Sequence, residues 1–251
     1  MNDGAVPDPI FDDPRLAVLY DLLDDDRSDL DVYAAIVDEL NASTVLDVGC
    51  GTGTLACMLA RRGVEVIGAD PAAASLDVAR CKPGAELVRW IHGDASDVPP
   101  LGVDLAVMTG NVAQVFVTDL EWQRAINATR RAVRSGGWLV FETRDPARRA
   151  WERWSREDTF RTVEVPELGA VSTWTELVDV REALVSFRHV FRFAPNGSEI
   201  TSDSTIRFRA RDEVAADLKD AGFRLHSVRD APDRPGMELV FLALAVESTT
   251  S

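Results

Sequence analysis

The sequence has few cysteines and no long apolar run. Cys50, Cys57 and Cys81 are odd in number and not paired in a Cys-x-x-Cys pattern, which excludes a disulfide framework and favours a reducing compartment. No apolar stretch approaches the roughly 20 residues of a membrane helix. The opening residues are acidic where a signal peptide would be basic and then apolar. We therefore predict a cytoplasmic protein with no membrane partner.

Basic residues are also in deficit. The chain of 251 residues has 27 lysines and arginines against 42 acids, a net charge of −15. Such a charge repels phosphate backbones, so we expect no nucleic-acid partner. The three histidines, His92, His189 and His226, show no metal-ligand spacing, and we assign no metal. The oligomeric state cannot be read from these features.

Short β-branched runs alternate with helical patterns from residue 44 onward, which is typical of βαβ units around a parallel sheet. Residues 151–210 instead show strand alternation broken by Pro195-Asn196-Gly197-Ser198, a hairpin signal. We predict a doubly wound, Rossmann-like α/β fold with a mostly parallel seven-stranded sheet, its last strand antiparallel, plus an antiparallel β insertion. The predicted divisions are a helical segment (1–42), the core (43–150), the insertion (151–210) and the completion of the sheet (211–251).

The most informative stretch, Val45–Gly53, is a buried-type strand followed by three alternate glycines and a helix. Glycines at such a junction let a ligand approach the backbone, and the helix start offers free N–H groups. Asp70 ends the next strand, where a carboxylate can accept hydrogen bonds from two ribose hydroxyls. Asp94 ends the third strand at the same edge, within reach of an adenine amino group. These features predict a nucleoside-bearing cofactor.

Two cofactors compete for this site. Gly51-x-Gly53-x-x-Ala56 satisfies the loose fingerprint of nicotinamide dinucleotides. Asp47 inside the first strand would repel a pyrophosphate, whereas a cation with a sulfonium and an ammonium group would be attracted. The charges therefore favour S-adenosylmethionine.

At these residues the chain resembles the class I S-adenosylmethionine-dependent methyltransferases, whose LD-x-G-C-G-x-G motif stands here as Leu46–Gly53. The resemblance covers residues 44–144, and the order of elements in 211–246 fits the same family. A closer likeness to the glycine N-methyltransferase type is carried by residues 109–114 and 141–145. The resemblance implies that residues 43–150 bind S-adenosylmethionine, that residues 1–42 form a lid and that the insertion caps the substrate.

The resemblance also implies individual roles. Gly49, Gly51 and Gly53 would line the methionine part of the cofactor. Asp70 would bind the ribose, and Asp94 with the backbone amide of Ala95 would bind the adenine.

The remaining roles concern the loop, the sulfonium and the lid. Asp47 would orient the loop and the amino group of the cofactor. Thr109, Gly110 and Asn111, which follow the fourth strand, would face the sulfonium, and Tyr20 would form an aromatic lid.

The expected reaction is in-line methyl transfer to an oxygen or nitrogen nucleophile of a small molecule. Asn111 is a candidate catalytic residue, because it is polar in an otherwise apolar stretch. Glu142 or His92 is the candidate base if the nucleophile is a hydroxyl. The fork of Arg144 could hold a substrate carboxylate or phosphate, or it could pair with a neighbouring acid. The alternatives are a nicotinamide oxidoreductase and a non-catalytic protein that binds S-adenosylmethionine.

Overall fold

The computed structural model describes residues 6–23, 27, 29–166, 168–194 and 197–247. The strands are β1 (Thr44–Val48), β2 (Glu65–Asp70), β3 (Val88–His92), β4 (Val103–Met108), β5 (Val133–Arg144), β6 (Arg161–Val165), β7 (Gly169–Arg181), β8 (Leu184–Phe193), β9 (Glu199–Arg207), β10 (Phe223–Asp230) and β11 (Glu238–Ala245). The helices are α1 (Pro9–Asp12), α2 (Pro14–Leu23), α3 (Asp29–Glu39), α4 (Thr54–Arg61), α5 (Ala73–Arg80), α6 (Asp119–Ala132), α7 (Arg156–Thr159) and α8 (Arg211–Asp220).

Seven strands form the central sheet in the order β10-β11-β5-β4-β1-β2-β3. The first five strands run parallel to one another, and β11 is antiparallel to both β5 and β10. The strand order reverses between β1 and β4, and in such sheets ligands bind outside the carboxyl ends of the strands at this point. The predicted doubly wound fold, with its antiparallel last strand, is confirmed.

The central strands are buried because helices cover both faces of the sheet. Val45–Val48 are buried without alternation, as expected for a parallel strand between two helical layers. One face packs against α3 and α4, and the other packs against α6 and α8. On that second face the rings of Phe141 and Phe241 stack at 5.1 Å, and Trp122 meets Phe141 edge-on. This packing fixes the positions of the strand ends.

The insertion forms a separate antiparallel sheet of four strands in the order β6-β7-β8-β9. The predicted hairpin joins β8 to β9, although residues 195 and 196 lie outside the described part of the chain. Phe187, His189 and Phe191 follow one another on one face of β8, which places a histidine between two aromatic rings. We call this sheet the cap sheet.

The N-terminal helices divide between the two sheets. Leu16 and Leu19 of α2 pack against Phe191 and Phe193 of the cap sheet, whereas α3 packs against the core. Among the described residues, no helix has both the length and the apolar character needed to cross a membrane.

The residue types of Ser135-Gly136-Gly137 are typical of a helix stop, but helix α6 ends before them. Helix α6 ends at Ala132, and Val133 already has extended backbone angles. The glycines instead lie in an irregular start of β5, where the register against β4 shifts. A Cβ on Gly137 would lie 2.8 Å from the Asp104 carbonyl oxygen. Glycine is therefore required there for the close approach of two strands.

Candidate active site

The glycine-rich loop turns sharply between β1 and α4. Gly49, Gly51 and Gly53 all have positive φ angles, of 70°, 51° and 72°. A Cβ on Gly51 would have no neighbour within 4 Å, whereas one on Gly49 would lie 2.6 Å from Val112 and one on Gly53 would lie 2.5 Å from Trp90. Gly51 therefore borders open space, while Gly53 allows the helix to approach the sheet closely.

Asp70 ends β2 beside this loop. The N–H of Gly51 donates to Asp70 Oδ2 at 2.7 Å, and the N–H of Ala72 donates to Oδ1 at 2.8 Å. Burial raises the pKa of Asp70, and these two N–H groups oppose that shift. Each carboxylate oxygen can accept a further hydrogen bond. Asp70 thus fixes the loop and still offers acceptors to a ligand.

Asp47 is almost fully buried in β1, with 1% of its surface exposed. Its Oδ1 atom has no hydrogen-bond partner among the described residues. Burial, with a contribution from the charge of Asp70, raises the pKa of Asp47 to about 7, while the positive charge of Arg27 opposes the shift. Because an unpaired buried acceptor is costly, this atom is suited to a cationic or N–H donor ligand.

Asp94 caps the short 3-10 turn at residues 95–97. Its Oδ1 accepts hydrogen bonds from the backbone N–H of Ser96 at 2.6 Å and from the Ser96 hydroxyl at 2.5 Å. Ala95 is buried next to it. The turn therefore places a carboxylate and a backbone segment at the end of β3.

A cavity of about 460 Å³ lies outside the carboxyl ends of the strands, a size typical of small-molecule sites. Predicted site residues that line it are Tyr20, Asp47, Gly49, Gly51, Asp70, Asp94, Ala95, Thr109 and Gly110. Gly53, Asn111, Glu142 and Arg144 do not line this cavity. Gly53 instead packs against Trp90, and the other three belong to a neighbouring polar cluster.

Helix α2 is attached to the glycine-rich loop by a charged cluster. Asp21 Oδ1 accepts hydrogen bonds from the hydroxyls of Thr52 and Thr54 at 2.7 and 3.3 Å, and Asp21 Oδ2 pairs with Lys82 Nζ at 2.6 Å. Burial lowers the pKa of Lys82, while Asp21 opposes that shift. The cluster holds the neighbouring Tyr20 at the wall of the cavity, where its ring lies 5.9 Å from that of Phe11.

The neighbouring cluster centres on two buried carboxylates, Glu142 of β5 and Glu238 of β11. The backbone N–H of Asn111 donates to Glu142 Oε1 at 3.0 Å, and Asn111 Nδ2 donates to Glu238 Oε1 at 3.2 Å. Burial, followed by the charge of Glu238, raises the pKa of Glu142 to about 7. The side chain of Asn111 is thus directed at β11. Its own Oδ1 has no partner among the described residues.

Arg144, at the end of β5, contacts the same cluster. Its Nη1 donates to Gln114 Oε1 at 3.2 Å, and its Nε lies 3.8 Å from Glu238 Oε1. The guanidinium carbon lies 5.6 Å from the ring centre of Trp154. Arg144 lines a second cavity, of about 360 Å³.

Two histidines lie near the site. Burial lowers the pKa of His189 to about 4, with contributions from the charges of Arg161 and Arg144, so this side chain is neutral near pH 7. His92 Nε2 lies 3.0 Å from the Pro71 carbonyl oxygen and does not line the first cavity. In the part of the chain that the structure describes, no group of histidine, cysteine or acidic side chains is arranged to hold a metal ion.

Comparison with known proteins gives a family for this architecture. Residues 45–137 match the methyltransferase domain family. Residues 45–137 thus carry a methyltransferase domain. The segment contains the glycine-rich loop, Asp70 and Asp94, so the resemblance predicted from those residues is confirmed, as is S-adenosylmethionine as the cofactor of this family. The likeness to the glycine N-methyltransferase type stays a prediction.

Two relatives of the methyltransferase domain illustrate the range of similarity. A malonyl-[acyl-carrier protein] O-methyltransferase of Serratia marcescens is 28% identical over 147 residues, 58% of this chain and 53% of that protein. A ubiquinone biosynthesis O-methyltransferase of Acinetobacter baylyi is 27% identical over 214 residues, 83% of this chain and 74% of that protein. The chain thus spans about half the length of the Serratia relative.

Solved structures share the fold beyond the methyltransferase domain itself. DesVI of Streptomyces venezuelae has a TM-score of 0.74 at 20% identity, over 92% of this chain and 98% of that one. CalS10, an amino pentose methyltransferase of Micromonospora echinaspora solved with S-adenosylmethionine bound, has a TM-score of 0.69 at 23% identity, over 88% and 93%. Both alignments extend beyond residues 45–137.

The methyltransferase domain fits S-adenosylmethionine on two local observations. The space beside Gly51 is open, so a ligand can approach the backbone of the loop there. The buried Asp47 Oδ1 lacks a partner among the described residues. An ammonium group can satisfy such an acceptor, whereas a phosphate would meet like charge.

Several polar residues near the methyltransferase domain escape prediction from sequence. Glu238 starts an apolar strand, and Arg234 lies in the turn before it, yet both reach the cluster around Glu142. The charge of Glu238 within an apolar run is a signal that could have identified it. Arg234 has no such signal, because its contact depends on the position of β11 beside β5.

Proposed function

We propose that this protein transfers a methyl group from S-adenosylmethionine to an oxygen or nitrogen nucleophile of a small molecule. The observation that carries the proposal is the buried Oδ1 atom of Asp47, which has no hydrogen-bond partner among the described residues and lies at the wall of a cavity that Asp70 and Asp94 also line. Three carboxylates at the ends of adjacent strands suit a ligand with an ammonium group, ribose hydroxyls and an adenine amino group.

Each part of the cofactor has a candidate partner. Asp47 would accept a hydrogen bond from the ammonium group, and Gly51 would border the methionine part. Asp70 would accept from the ribose hydroxyls, and Asp94 with Ala95 would bind the adenine. When bound, S-adenosylmethionine supplies a methyl group on an activated sulfonium, so the protein has mainly to orient the reactants and exclude water.

Tyr20 and Phe11 would exclude water from the cavity that they line. The hydrogen bonds between Asp21 and the loop hold α2 in place for this purpose. Orientation of two reactants can lower a barrier by roughly 7 to 11 kcal/mol. A closed, rigid cavity is therefore the main catalytic contribution that we expect from this chain.

Glu142 would accept the proton of the nucleophile. Its pKa of about 7 makes it partly ionised near neutral pH, which suits a general base. Glu142 lies behind the wall of the first cavity, where it accepts the backbone N–H of Gly110, so the proton of the nucleophile would reach it through one water molecule. Asn111 would be a positioning residue, because its backbone N–H holds Glu142 and its side chain holds Glu238.

The printed names of similar proteins support both nucleophile classes. The Serratia and Acinetobacter relatives are O-methyltransferases. A sugar N-methyltransferase of Streptoalloteichus, KedS8, shares the fold with a TM-score of 0.71. We therefore keep oxygen and nitrogen acceptors together in the proposal.

Calorimetric titration with S-adenosylhomocysteine tests the cofactor assignment. We expect binding that weakens at least tenfold in Asp47→Asn, because the amide pairs less strongly with an ammonium group. Asp77→Asn is the matched control, since Asp77 is an exposed carboxylate paired with Arg80 on α5. Stabilisation by NAD without binding of S-adenosylhomocysteine would instead support an oxidoreductase.

Transfer itself is tested with a radiolabelled methyl donor and a library of hydroxyl- and amine-bearing metabolites. We expect label to appear in at least one metabolite and to be lost with Glu142→Gln when that acceptor is a hydroxyl. Tight binding of the donor with no labelled product across the library would favour a non-catalytic binding protein.

A further inference from the structure

Residues 112–118, between the end of β4 and the start of α6, form a part of the first cavity that we call the wall segment. Four of its residues line the cavity: Val112, Val115, Phe116 and Thr118. Val112 also lies against Gly49 of the glycine-rich loop. The position of the wall segment therefore contributes directly to the shape of the cavity.

The wall segment belongs to neither sheet, so its carbonyl groups need donors from elsewhere. A buried carbonyl without a hydrogen bond is costly. Arg209, which follows β9, donates from Nη1 to the carbonyl oxygen of Ala113 at 3.3 Å. Its Nη2 donates to those of Phe116 and Thr118 at 2.7 and 3.3 Å. One guanidinium, with 2% of its side chain exposed, thus holds the wall segment at both ends.

An aromatic contact supports the same arrangement. The guanidinium carbon of Arg209 lies 5.1 Å from the ring centre of Trp122, and the ring of Phe116 lies 6.0 Å from that of Trp122. Burial lowers the pKa of Arg209 to about 10, with a contribution from the charge of Arg207. The side chain is therefore still charged near pH 7, and its hydrogen bonds to the wall segment are charge-assisted.

Arg207, the last residue of β9, joins the wall segment to the cap sheet. Its Nη1 donates to the carbonyl oxygen of Val117 at 3.3 Å, across 90 positions of sequence. Its own carbonyl oxygen accepts a hydrogen bond from Gln114 Nε2 at 3.2 Å. The end of the cap sheet and the wall of the cavity are thus bonded to each other.

We propose that Arg209, assisted by Arg207, is a positioning residue that sets the affinity of the first cavity for S-adenosylmethionine by fixing the wall segment. Neither arginine lines the cavity. Both act through the backbone of the wall segment, which carries the lining side chains. This inference rests on the proposed function, because it requires the first cavity to be the cofactor site.

Arg130, near the end of α6, provides a matched control. It donates to the carbonyl oxygens of Gly222 and Val133 at 3.1 and 3.3 Å. A third hydrogen bond goes to the carbonyl oxygen of Val246, and the guanidinium carbon lies 5.8 Å from the ring centre of Phe223. None of these residues lines the first cavity. Arg130 therefore makes the same kinds of contact away from the proposed cofactor site.

Calorimetric titration with S-adenosylhomocysteine compares Arg209→Lys with Arg130→Lys. Both variants keep the charge and lose the planar fork, so both should unfold at a lower urea concentration than the unchanged protein. Arg209→Lys should weaken binding by about tenfold, because the wall segment loses charge-assisted hydrogen bonds. Arg130→Lys should bind as tightly as the unchanged protein. Normal affinity in Arg209→Lys, or equal losses of affinity in the two variants, would overturn the proposal.

Amide hydrogen exchange separates positioning from a purely structural role. In Arg209→Lys we expect faster exchange within residues 112–118, while the strands of the central sheet exchange as in the unchanged protein. A side chain that only stabilises the fold would instead speed exchange throughout the core when it is replaced. Unchanged exchange in the wall segment, or a uniform increase, would contradict the proposal.

Arg207→Gln decides the proposal if Arg209→Lys does not fold. The Arg207 side chain is partly exposed and supplies one hydrogen bond to the wall segment, so we expect a folded variant that binds S-adenosylhomocysteine about threefold more weakly. Normal affinity in this variant would then overturn the proposal. Absence of binding to the unchanged protein would reject the proposed function instead, and hydrogen exchange would still show whether the two arginines fix the wall segment.

Discussion

The two halves of the site are built from contacts of very different range. In the proposed cofactor half, at the ends of β1, β2 and β3, Asp70 bonds to backbone groups 2 and 19 residues away. In the proposed acceptor half, at the ends of β4, β5 and β11, Asn111 bonds to residues 31 and 127 positions away. The cofactor half is thus specified by local sequence, and the acceptor half exists only once distant strands have paired.

The largest effect that we expect concerns two glycines of the cofactor half. Gly53→Ala should lower the free energy of unfolding by about 4 kcal/mol, because its Cβ would lie 2.5 Å from Trp90 at a positive φ angle. Gly51→Ala should cost about 1 kcal/mol, because it has the backbone strain without the clash. Urea denaturation measures both.

The effects of the same two substitutions on cofactor binding should have the opposite order of size. Gly51→Ala should weaken binding of S-adenosylhomocysteine at least tenfold, since its methyl group would enter the space reserved for the ligand. Gly53→Ala should bind it with near-normal affinity in the fraction that remains folded. Equal losses of stability in the two variants would contradict the distinction between a ligand-facing and a packing glycine.

The next effect compares one buried carboxylate from each half. The pKa values of Asp47 and Glu142 are both raised to about 7, from ordinary values of 3.8 and 4.5. The folded protein therefore holds each proton more tightly than the unfolded chain does. As the pH rises from about 4 to 7, the free energy of unfolding should fall by up to about 3 kcal/mol for each group.

Asp47→Asn and Glu142→Gln should each remove one part of this fall, as measured by urea denaturation across that pH range. Saturating S-adenosylhomocysteine should abolish the part due to Asp47, because the ligand's ammonium group stabilises the ionised carboxylate. The part due to Glu142 should persist. If S-adenosylhomocysteine changes the contributions of Asp47 and Glu142 to this fall equally, the charges of the two halves are coupled.

The range of the contacts also explains what the sequence could predict. The strand-loop-helix of residues 45–61 and the acid at the end of β2 follow from local periodicity and glycine placement. The pairing of Glu238 with Arg144 depends on the register of β11 against β5, which no local pattern determines. Even within the glycine-rich loop, the packing role of Gly53 could not be predicted from local sequence, because it depends on the close approach of Trp90 from β3.

A third prediction tests how far Asp70 serves the loop as well as the ligand. Asp70→Ala should weaken binding of S-adenosylhomocysteine by about 2 kcal/mol, because the ribose hydroxyls lose a charged acceptor. It should also lower the free energy of unfolding, since the N–H groups of Gly51 and Ala72 lose their acceptors. Calorimetry and urea denaturation separate the two effects. Full stability would show that water replaces the carboxylate.

The smallest expected effect concerns the attachment of α2 to the cofactor half. Asp21→Asn keeps an acceptor for Thr52 but removes the charge that pairs with Lys82. Because a partly exposed ion pair contributes about 1 kcal/mol or less, we expect dissociation of S-adenosylhomocysteine to accelerate severalfold in stopped-flow experiments. Asp38→Asn, which removes an exposed ion pair with Arg62, should leave the rate unchanged. If both variants release the ligand at the normal rate, the ion pair of Asp21 with Lys82 does not restrain it, and closure of the cavity must depend on the contacts of α2 with the cap sheet.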